Sequence, residues 1–232
     1  NIETIGKIAY DNYGIASKGF NIVSCQFALH YFFKDKATLK NFMINLVECT
    51  ALNGIFIGTC FDGKTIHNLL SEGNFTSYEN DELLLSITKK YENETFPSDS
   101  NSLGYSIEIF QESINKPITE YLVNFEFFIR IMENYGFKLK KDVNDKTLKT
   151  SIDSFESIYN TISDAPQYSY LNLNEYETNI SFLNYYFIFE KISNVNTNDI
   201  VWDDIDELET TFNQYESITP QKIKLKNKSS KN

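Results

Sequence analysis

The sequence predicts an α/β fold built on a parallel β-sheet, and three successive segments carry that prediction. Residues 21–27 form an apolar run typical of a buried strand. Residues 35–51 have apolar side chains at helical spacing, and residues 55–60 form a second apolar run. A strand, a helix and a strand within about 40 residues are the βαβ unit of a parallel sheet, whose crossover is right-handed.

The helix of this unit has clear local signals. Leu39 and Met43 lie on one apolar face, and Asp35 is placed to cap the first turn. The dipeptide Asn53-Gly54 favours a turn, so we expect the helix to end before it and the second strand to begin after it.

The rest of the chain shows a less regular alternation of elements. We predict short helices at residues 5–13, 64–73 and 151–162, and strands at residues 79–91, 103–111, 137–143 and 180–192. The strongest helical pattern covers residues 119–136, with an apolar stripe from Leu122 to Met132 and Gly136 at its end.

Composition excludes several classes of function. The net charge of −11 argues against nucleic-acid binding by this chain alone, because contacts to phosphates need clustered basic side chains. Arg130 is the only arginine. No apolar run is long enough to cross a bilayer. The three cysteines, Cys25, Cys49 and Cys60, include no CxxC pair, so we expect reduced thiols in the cytoplasm, with no disulfide framework and no metal site.

The amino-acid composition of the chain changes after residue 192. We expect residues 1–192 to form the folded part, and residues 193–232, acidic and then Lys-rich, to form a partly disordered tail or linker. Trp202 could dock on a partner or pack back on the parent domain, and the sequence leaves both interpretations open.

Polar and aromatic side chains follow both strands of the βαβ unit. Residues 26–31 come after the first strand and residues 59–63 after the second, so both loops open on the same edge of the sheet. The flat rings of Phe27 and Phe61 suit a purine, and His30 offers a polar group for its edge. A simple packing role for the histidine remains the alternative.

Four sequence blocks, in order, resemble a known family. "FNIVSCQFALHYFF" (residues 20–33) is similar to the "SCQF-x-x-HY" block of the mRNA cap guanine-N7 methyltransferases, most of all the giant-virus capping enzymes. Residues 51–70, 117–139 and 182–191 resemble three later blocks, so the likeness covers about residues 5–192. It implies a Rossmann-like class I S-adenosylmethionine-dependent methyltransferase fold.

One part of the family pattern has no counterpart in this chain. The Gly-rich loop and the acidic residues that open the family's domain are missing. We therefore expect an N-terminally incomplete fold, the C-terminal portion of a longer capping protein whose upstream part, or other capping-enzyme domains, would be its partner.

The resemblance also implies roles for particular residues. Gln26, Phe27 and Tyr31 correspond to positions that hold the cofactor, S-adenosylmethionine. His30 and Glu120 correspond to positions that contact the cap guanine. A carboxylate suits that role because it accepts hydrogen bonds from guanine N1–H and N2–H together.

Two positions depart from the family pattern. Phe61 stands where cellular members have proline, and it would form an apolar wall beside the guanine. On the last strand, where those members have tyrosine, either Asn184 or Tyr185 would contact the cap, and both assignments stay open.

The implied reaction moves a methyl group from S-adenosylmethionine to N7 of the guanosine cap of RNA in the host cytoplasm. N7 carries no proton, so no residue is expected as an acid or base, and His30 and Glu120 would act by orientation. Two alternatives remain: an inactive, methyltransferase-like regulatory subunit of a capping complex, and a methyltransferase for another substrate.

Overall fold

The computed structural model describes residues 6–7, 10–11, 14, 16–79, 81–141, 148, 150–163, 166–168 and 173–207. Its strands are β1 (Phe20–Gln26), β2 (Thr50–Phe61), β3 (Phe75–Glu79), β4 (Glu82–Lys89), β5 (Ser106–Gln111), β6 (Lys116–Tyr121), β7 (Phe137–Leu139), β8 (Ile152–Ser154) and β9 (Asn184–Lys191). Its α-helices are α1 (Lys36–Cys49), α2 (Gly63–Leu69), α3 (Phe125–Asn134), α4 (Phe155–Ile162), α5 (Glu175–Ser181) and α6 (Trp202–Glu207). Among these helices none is long and apolar enough to span a membrane.

The main sheet contains the predicted βαβ unit. Strands β1 and β2 are parallel neighbours, and α1 makes the crossover between them. Strand β9 pairs antiparallel with β2, and β7 and β8 pair antiparallel with the other edge of β9. The prediction of a parallel core is therefore confirmed for β1 and β2, and the sheet as a whole is mixed.

Helix α1 begins where the sequence predicts. The side chain of Asp35 accepts a hydrogen bond from the Thr38 amide at 2.8 Å, and Leu39 and Met43 are fully buried. The helix ends earlier than predicted, because β2 starts directly at Thr50. Asn53 is part of β2 in a left-handed conformation (φ 63°), beside an irregularity in the pairing with β1.

A buried lysine closes the C-terminal end of α1. Lys191 Nζ donates to the carbonyl oxygens of Val47 and Thr50 at 2.7 and 2.8 Å, and the residue is 4% exposed. These carbonyls lie at the end of the helix, where no intrahelical donor is available. A positive charge at this end is also favourable for the helix dipole.

We expect Lys191→Met to lower the free energy of unfolding by about 2–3 kcal/mol, because two buried carbonyls lose their charged donor. Urea denaturation measures the change. Lys138→Met, at an exposed position of β7, is the matched control and should leave the unfolding midpoint nearly unchanged. Equal midpoints for the two variants would show that Lys191 contributes no net stability.

The second sheet is antiparallel, in the order β3-β4-β5-β6. Its inner face carries buried aliphatic side chains that pack against α2, among them Ile87, Ile107 and Ile109. This sheet includes the excursion predicted for residues 79–111, with β3 and β6 as additional strands.

The prediction of one helix over residues 119–136 is wrong at its start. Residues Lys116–Tyr121 form β6, which pairs with β5, and α3 begins only at Phe125. Asn124 caps α3, since its side chain accepts from the Phe127 amide at 3.1 Å. The apolar stripe of α3 runs on into the end of β6, so the sequence pattern hides the boundary. Glu120 therefore lies on a strand.

Two other predicted element boundaries also differ from the observed ones. The predicted helix at residues 151–162 starts with strand β8, and the predicted strand at residues 180–192 starts only at Asn184. The predicted helix at residues 5–13 lies mostly outside the described residues.

The start of the predicted tail packs on the domain. Trp202 is 4% exposed and Ile205 is fully buried, and both belong to the main hydrophobic core. Of the two interpretations of Trp202, packing on the parent domain is the one that the structure supports. Residues 208–232 lie outside the described residues, and the division of the chain at residue 192 stays a prediction.

Candidate active site

His30 lies on a short 3₁₀ helix, Leu29–Lys34, just beyond the end of β1. Leu29 and Phe33 are fully buried and anchor this helix in the core. His30 itself is 5% exposed, and the ring of Tyr31 meets it edge-on with 4.2 Å between centroids. The "HY" pair thus presents one buried and one exposed ring at the edge of the sheet.

Glu120 reaches the same place from β6. It is the direct partner of Ile107 in β5, so it shares the inner face of the second sheet with buried aliphatic side chains. Its Oε2 lies 3.5 Å from His30 Nδ1, and its side chain is 14% exposed. The fold brings together two side chains that are 90 positions apart in the sequence.

Burial changes the titration of both groups. It lowers the pKa of His30 to about 4 and raises the pKa of Glu120 to about 7. Near neutrality the imidazole is therefore uncharged, and the carboxyl group changes its ionisation. His30 and Glu120 therefore form a polar contact whose charge depends on the ionisation of Glu120, and they do not form a permanent ion pair.

The direct contact also limits where a ligand fits. At 3.5 Å the two side chains leave no room for a ring between them, so a purine would bind beside both. His30 Nε2 is buried and has no hydrogen-bond partner within the described part of the chain. The Nε2 atom is therefore available to form a hydrogen bond with a ligand.

The predicted cofactor residues lie on the exposed side of the same edge. The Gln26 side chain accepts from Thr59 Oγ1 at 2.8 Å and donates to Ser24 Oγ at 3.0 Å. Phe27 is 55% exposed and has a left-handed backbone (φ 51°), which is rare for a bulky residue. Tyr31 is 44% exposed. A strained, exposed aromatic at a strand end is typical of a binding site.

The candidates on β9 and β2 occupy different surroundings. Tyr185 stacks on Phe125 with 5.8 Å between centroids, and burial, followed by nearby carboxylates, raises its pKa. Asn184 Nδ2 donates to the carbonyls at the end of α5, and its Oδ1 is buried without a partner among the described residues. Phe61 is the cross-strand partner of Asn184 and packs against the buried aliphatic side chains on the inner face of the second sheet.

Two residues at this edge were missed by sequence reasoning. Phe155, at the start of α4, faces Phe27 edge-on with 6.4 Å between centroids. Asp62 is 3% exposed and caps α2, accepting from the Thr65 amide and hydroxyl. Its place directly after β2 was a usable signal, whereas nothing local marks Phe155. No cluster of three or more potential metal ligands occurs in the described ranges.

Comparison with known proteins places the chain in a family. The model of the mRNA (guanine-N(7))-methyltransferase domain matches residues 3–192. The chain belongs to this family. Its βαβ unit, with polar residues beyond the strand ends, is the Rossmann-like arrangement predicted for a class I methyltransferase.

The chain matches only part of the length of each individual relative. A probable mRNA-capping enzyme of Acanthamoeba polyphaga mimivirus is 28% identical over 222 residues, 82% of this chain and 18% of that protein. An mRNA cap guanine-N(7) methyltransferase of Oryza sativa is 30% identical over 121 residues, 52% of this chain and 32% of that protein. An S-adenosylmethionine-dependent methyltransferase structure from Clostridium acetobutylicum gives a TM-score of 0.42 at 12% identity, covering 75% of this chain and 58% of that chain. The chain spans about a third or less of the length of these two curated relatives.

Proposed function

We propose that this chain supplies the cap-guanine side, and part of the methyl-donor side, of an enzyme that methylates N7 of the RNA cap. The observation that carries the proposal is the contact of His30 with Glu120, 3.5 Å apart and largely buried. Family membership supplies the substrate class, and the contact supplies a recognition device suited to guanine.

Guanine recognition follows from the chemistry of the pair. Ionised Glu120 accepts from guanine N1–H and N2–H along one purine edge, and the Nδ1–H of neutral His30 faces the same carboxylate and orients it. This leaves N7 free on the adjoining edge. Because the N7 lone pair is already nucleophilic, the protein contributes alignment and needs no proton acceptor.

S-adenosylmethionine would supply the methyl group as an electrophile. Gln26, Phe27 and Tyr31 fit it, since they form an exposed, partly aromatic surface beside the buried pair. Phe155 would close the far side of the adenosine surface. These residues bind and orient the cofactor and exclude water from it.

On the last strand we favour Tyr185 over Asn184 as the cap contact. Tyr185 is the direct partner of Cys60, so both side chains emerge on the same face of the sheet. Burial raises the pKa of Cys60, followed by Asp62, Cys25 and Glu120, and the effect of Glu120 supports a position of this face near the guanine side of the site. Asn184 points to the other face, with Phe61.

A further polypeptide segment would complete the site. In the described part of the chain β1 pairs only with β2, and Phe20 and Ile22 on β1 are 49% and 65% exposed. We propose that the segment carrying the Gly-rich cofactor loop, in the same polypeptide, pairs with this edge. Its surroundings would be the reducing cytoplasm, which suits the free cysteines Cys25, Cys49 and Cys60.

The test measures methyl transfer by the complete enzyme to RNA with an unmethylated guanosine cap, with radiolabelled S-adenosylmethionine. We expect label at N7 of the cap and none on RNA that begins with a 5′-triphosphate. His30→Ala should raise the cap KM by about tenfold or more. If the enzyme binds a cap analogue but transfers no methyl group, the alternative of an inactive regulatory subunit is supported. If the label appears on another acceptor, the alternative of a methyltransferase for a different substrate is supported.

A further inference from the structure

The segment after the matched domain is fixed to the core near the candidate site. The family match ends at residue 192, and α6 lies beyond it. Trp202 Nε1 donates to the Tyr135 hydroxyl at 3.1 Å, and the indole meets Phe127 edge-on. With Ile205 fully buried as well, α6 is held firmly against α3.

From this position α6 holds the loop between β4 and β5. Asp206 Oδ1 accepts from the Ser100 amide at 2.9 Å, and Oδ2 accepts from the Ser100 hydroxyl at 2.5 Å. Helix α3 holds the same loop two residues earlier, where Ser98 Oγ donates to Glu126 Oε2 at 2.5 Å. Hydrogen bonds to a carboxylate are stronger than those between neutral groups, so this loop is well anchored.

The end of that loop supports the helix that carries His30. The Gly104 amide donates to the Phe33 carbonyl at 3.0 Å, in the last turn of the 3₁₀ helix 29–34. Gly104 has φ 82°, a left-handed conformation that favours glycine. A displacement of the loop would therefore be transmitted to the last turn of this helix.

The residues that follow the 3₁₀ helix also contact α6. Lys36, the first residue of α1, lies 2.8 Å from Asp203 and 5.7 Å from the centre of the Trp202 ring. The ion pair is exposed and worth little energy, but it lies on the side of the 3₁₀ helix where the chain enters α1.

We infer that α6 is a positioning element for the His30–Glu120 pair, acting through Asp206, Ser100 and the loop 98–104. Asp206 contacts neither guanine nor cofactor in this arrangement, so it is a positioning residue. The effect on catalysis rests on the proposed function, whereas the effect on the 3₁₀ helix does not.

The test is Asp206→Ala, read first by amide hydrogen exchange in the 232-residue chain. We expect exchange to speed up on the order of tenfold at Ser100, Gly104 and residues 29–34. In the complete enzyme the cap KM should rise several-fold with kcat nearly unchanged, because the guanine contact is made in both ground and transition states. The matched control is Asp204→Ala, at an exposed position of the same helix, and it should change neither readout.

Asp206→Asn keeps one acceptor oxygen for the Ser100 amide and should restore part of the protection. Faster exchange at Ser100 alone, with residues 29–34 unchanged, would overturn the inference. If Asp206→Ala fails to fold, Ser100→Ala removes only the hydroxyl contact and gives the same comparison. If the wild-type enzyme methylates no cap, the proposed function fails, and the exchange pattern still decides the positioning role.

Discussion

Glu120→Gln is expected to lose most of its activity towards the cap while gaining stability above neutral pH. The substitution keeps the shape of the side chain but removes the charge and one acceptor oxygen. Hydrogen bonds to a charged group are worth about 1.5–3 kcal/mol each, so kcat/KM should fall about 100-fold at pH 8. Glu120→Ala should lose at least as much.

The gain in stability follows from the raised pKa of Glu120. Burial raises this pKa from 4.5 to about 7, so the folded chain holds a proton that the unfolded chain has released. The wild type therefore loses stability as the pH rises from 4.5 to about 7, by about 3 kcal/mol in total. Glutamine does not ionise, so the variant should unfold at a higher temperature at pH 8 and at a similar temperature at pH 4.5.

The same titration predicts how cap binding depends on pH. Ionised Glu120 is needed to accept two hydrogen bonds, so the cap KM should fall as the pH rises through about 7. The value of kcat at saturating cap should stay flat, because no proton moves in the chemical step. A kcat that followed the same ionisation would mean that Glu120 has a role in proton transfer.

The matched control is Glu108→Gln, on the neighbouring strand β5, where the carboxylate is 40% exposed and lies 3.3 Å from Lys90. It should leave the cap KM unchanged. Wild-type kinetics for Glu120→Gln would remove Glu120 from the guanine site. A stability difference from wild type that is the same at pH 4.5 and pH 8 would show that burial does not hold the proton.

Gly58→Ala is expected to cause one of the largest losses of stability in the chain. Gly58 lies at the centre of the main sheet, directly opposite Cys25 in β1 and Phe187 in β9. An added Cβ would come within 3.0 Å of the Phe187 ring and of the Cys25 carbonyl oxygen. Neither can yield easily, because the ring is fully buried and the oxygen belongs to the backbone.

We expect Gly58→Ala to lower the free energy of unfolding by about 3 kcal/mol, at the upper end for an overpacked core, as measured by urea denaturation. Gly6→Ala is the matched control, since nothing lies within 4 Å of its added Cβ. Adding Phe187→Leu to Gly58→Ala should recover part of the loss by making room for the methyl group. A Gly58→Ala chain as stable as Gly6→Ala would show that the strands separate at little cost.

The sequence by itself determined the β1-α1-β2 unit and predicted the edge of the sheet at which the candidate site lies. Its signals are local: an apolar strand, a cap at Asp35 and helical spacing, each of which depends on near neighbours along the chain. The blocks around His30 and Glu120 also identified the family, because rare residue combinations survive in order.

Only the tertiary structure decided where Glu120 lies and what it contacts. A helical pattern continues without a break from α3 back across residue 120, and the strand β6 forms because β5 offers it backbone partners. Pairing with β5 turns Glu120 onto the inner face, where burial raises its pKa and brings it against His30. The contact of Asp206 with Ser100 is likewise a product of packing. Periodicity reports which face of a segment is apolar, but the depth and neighbours of a polar group depend on segments far away in the chain.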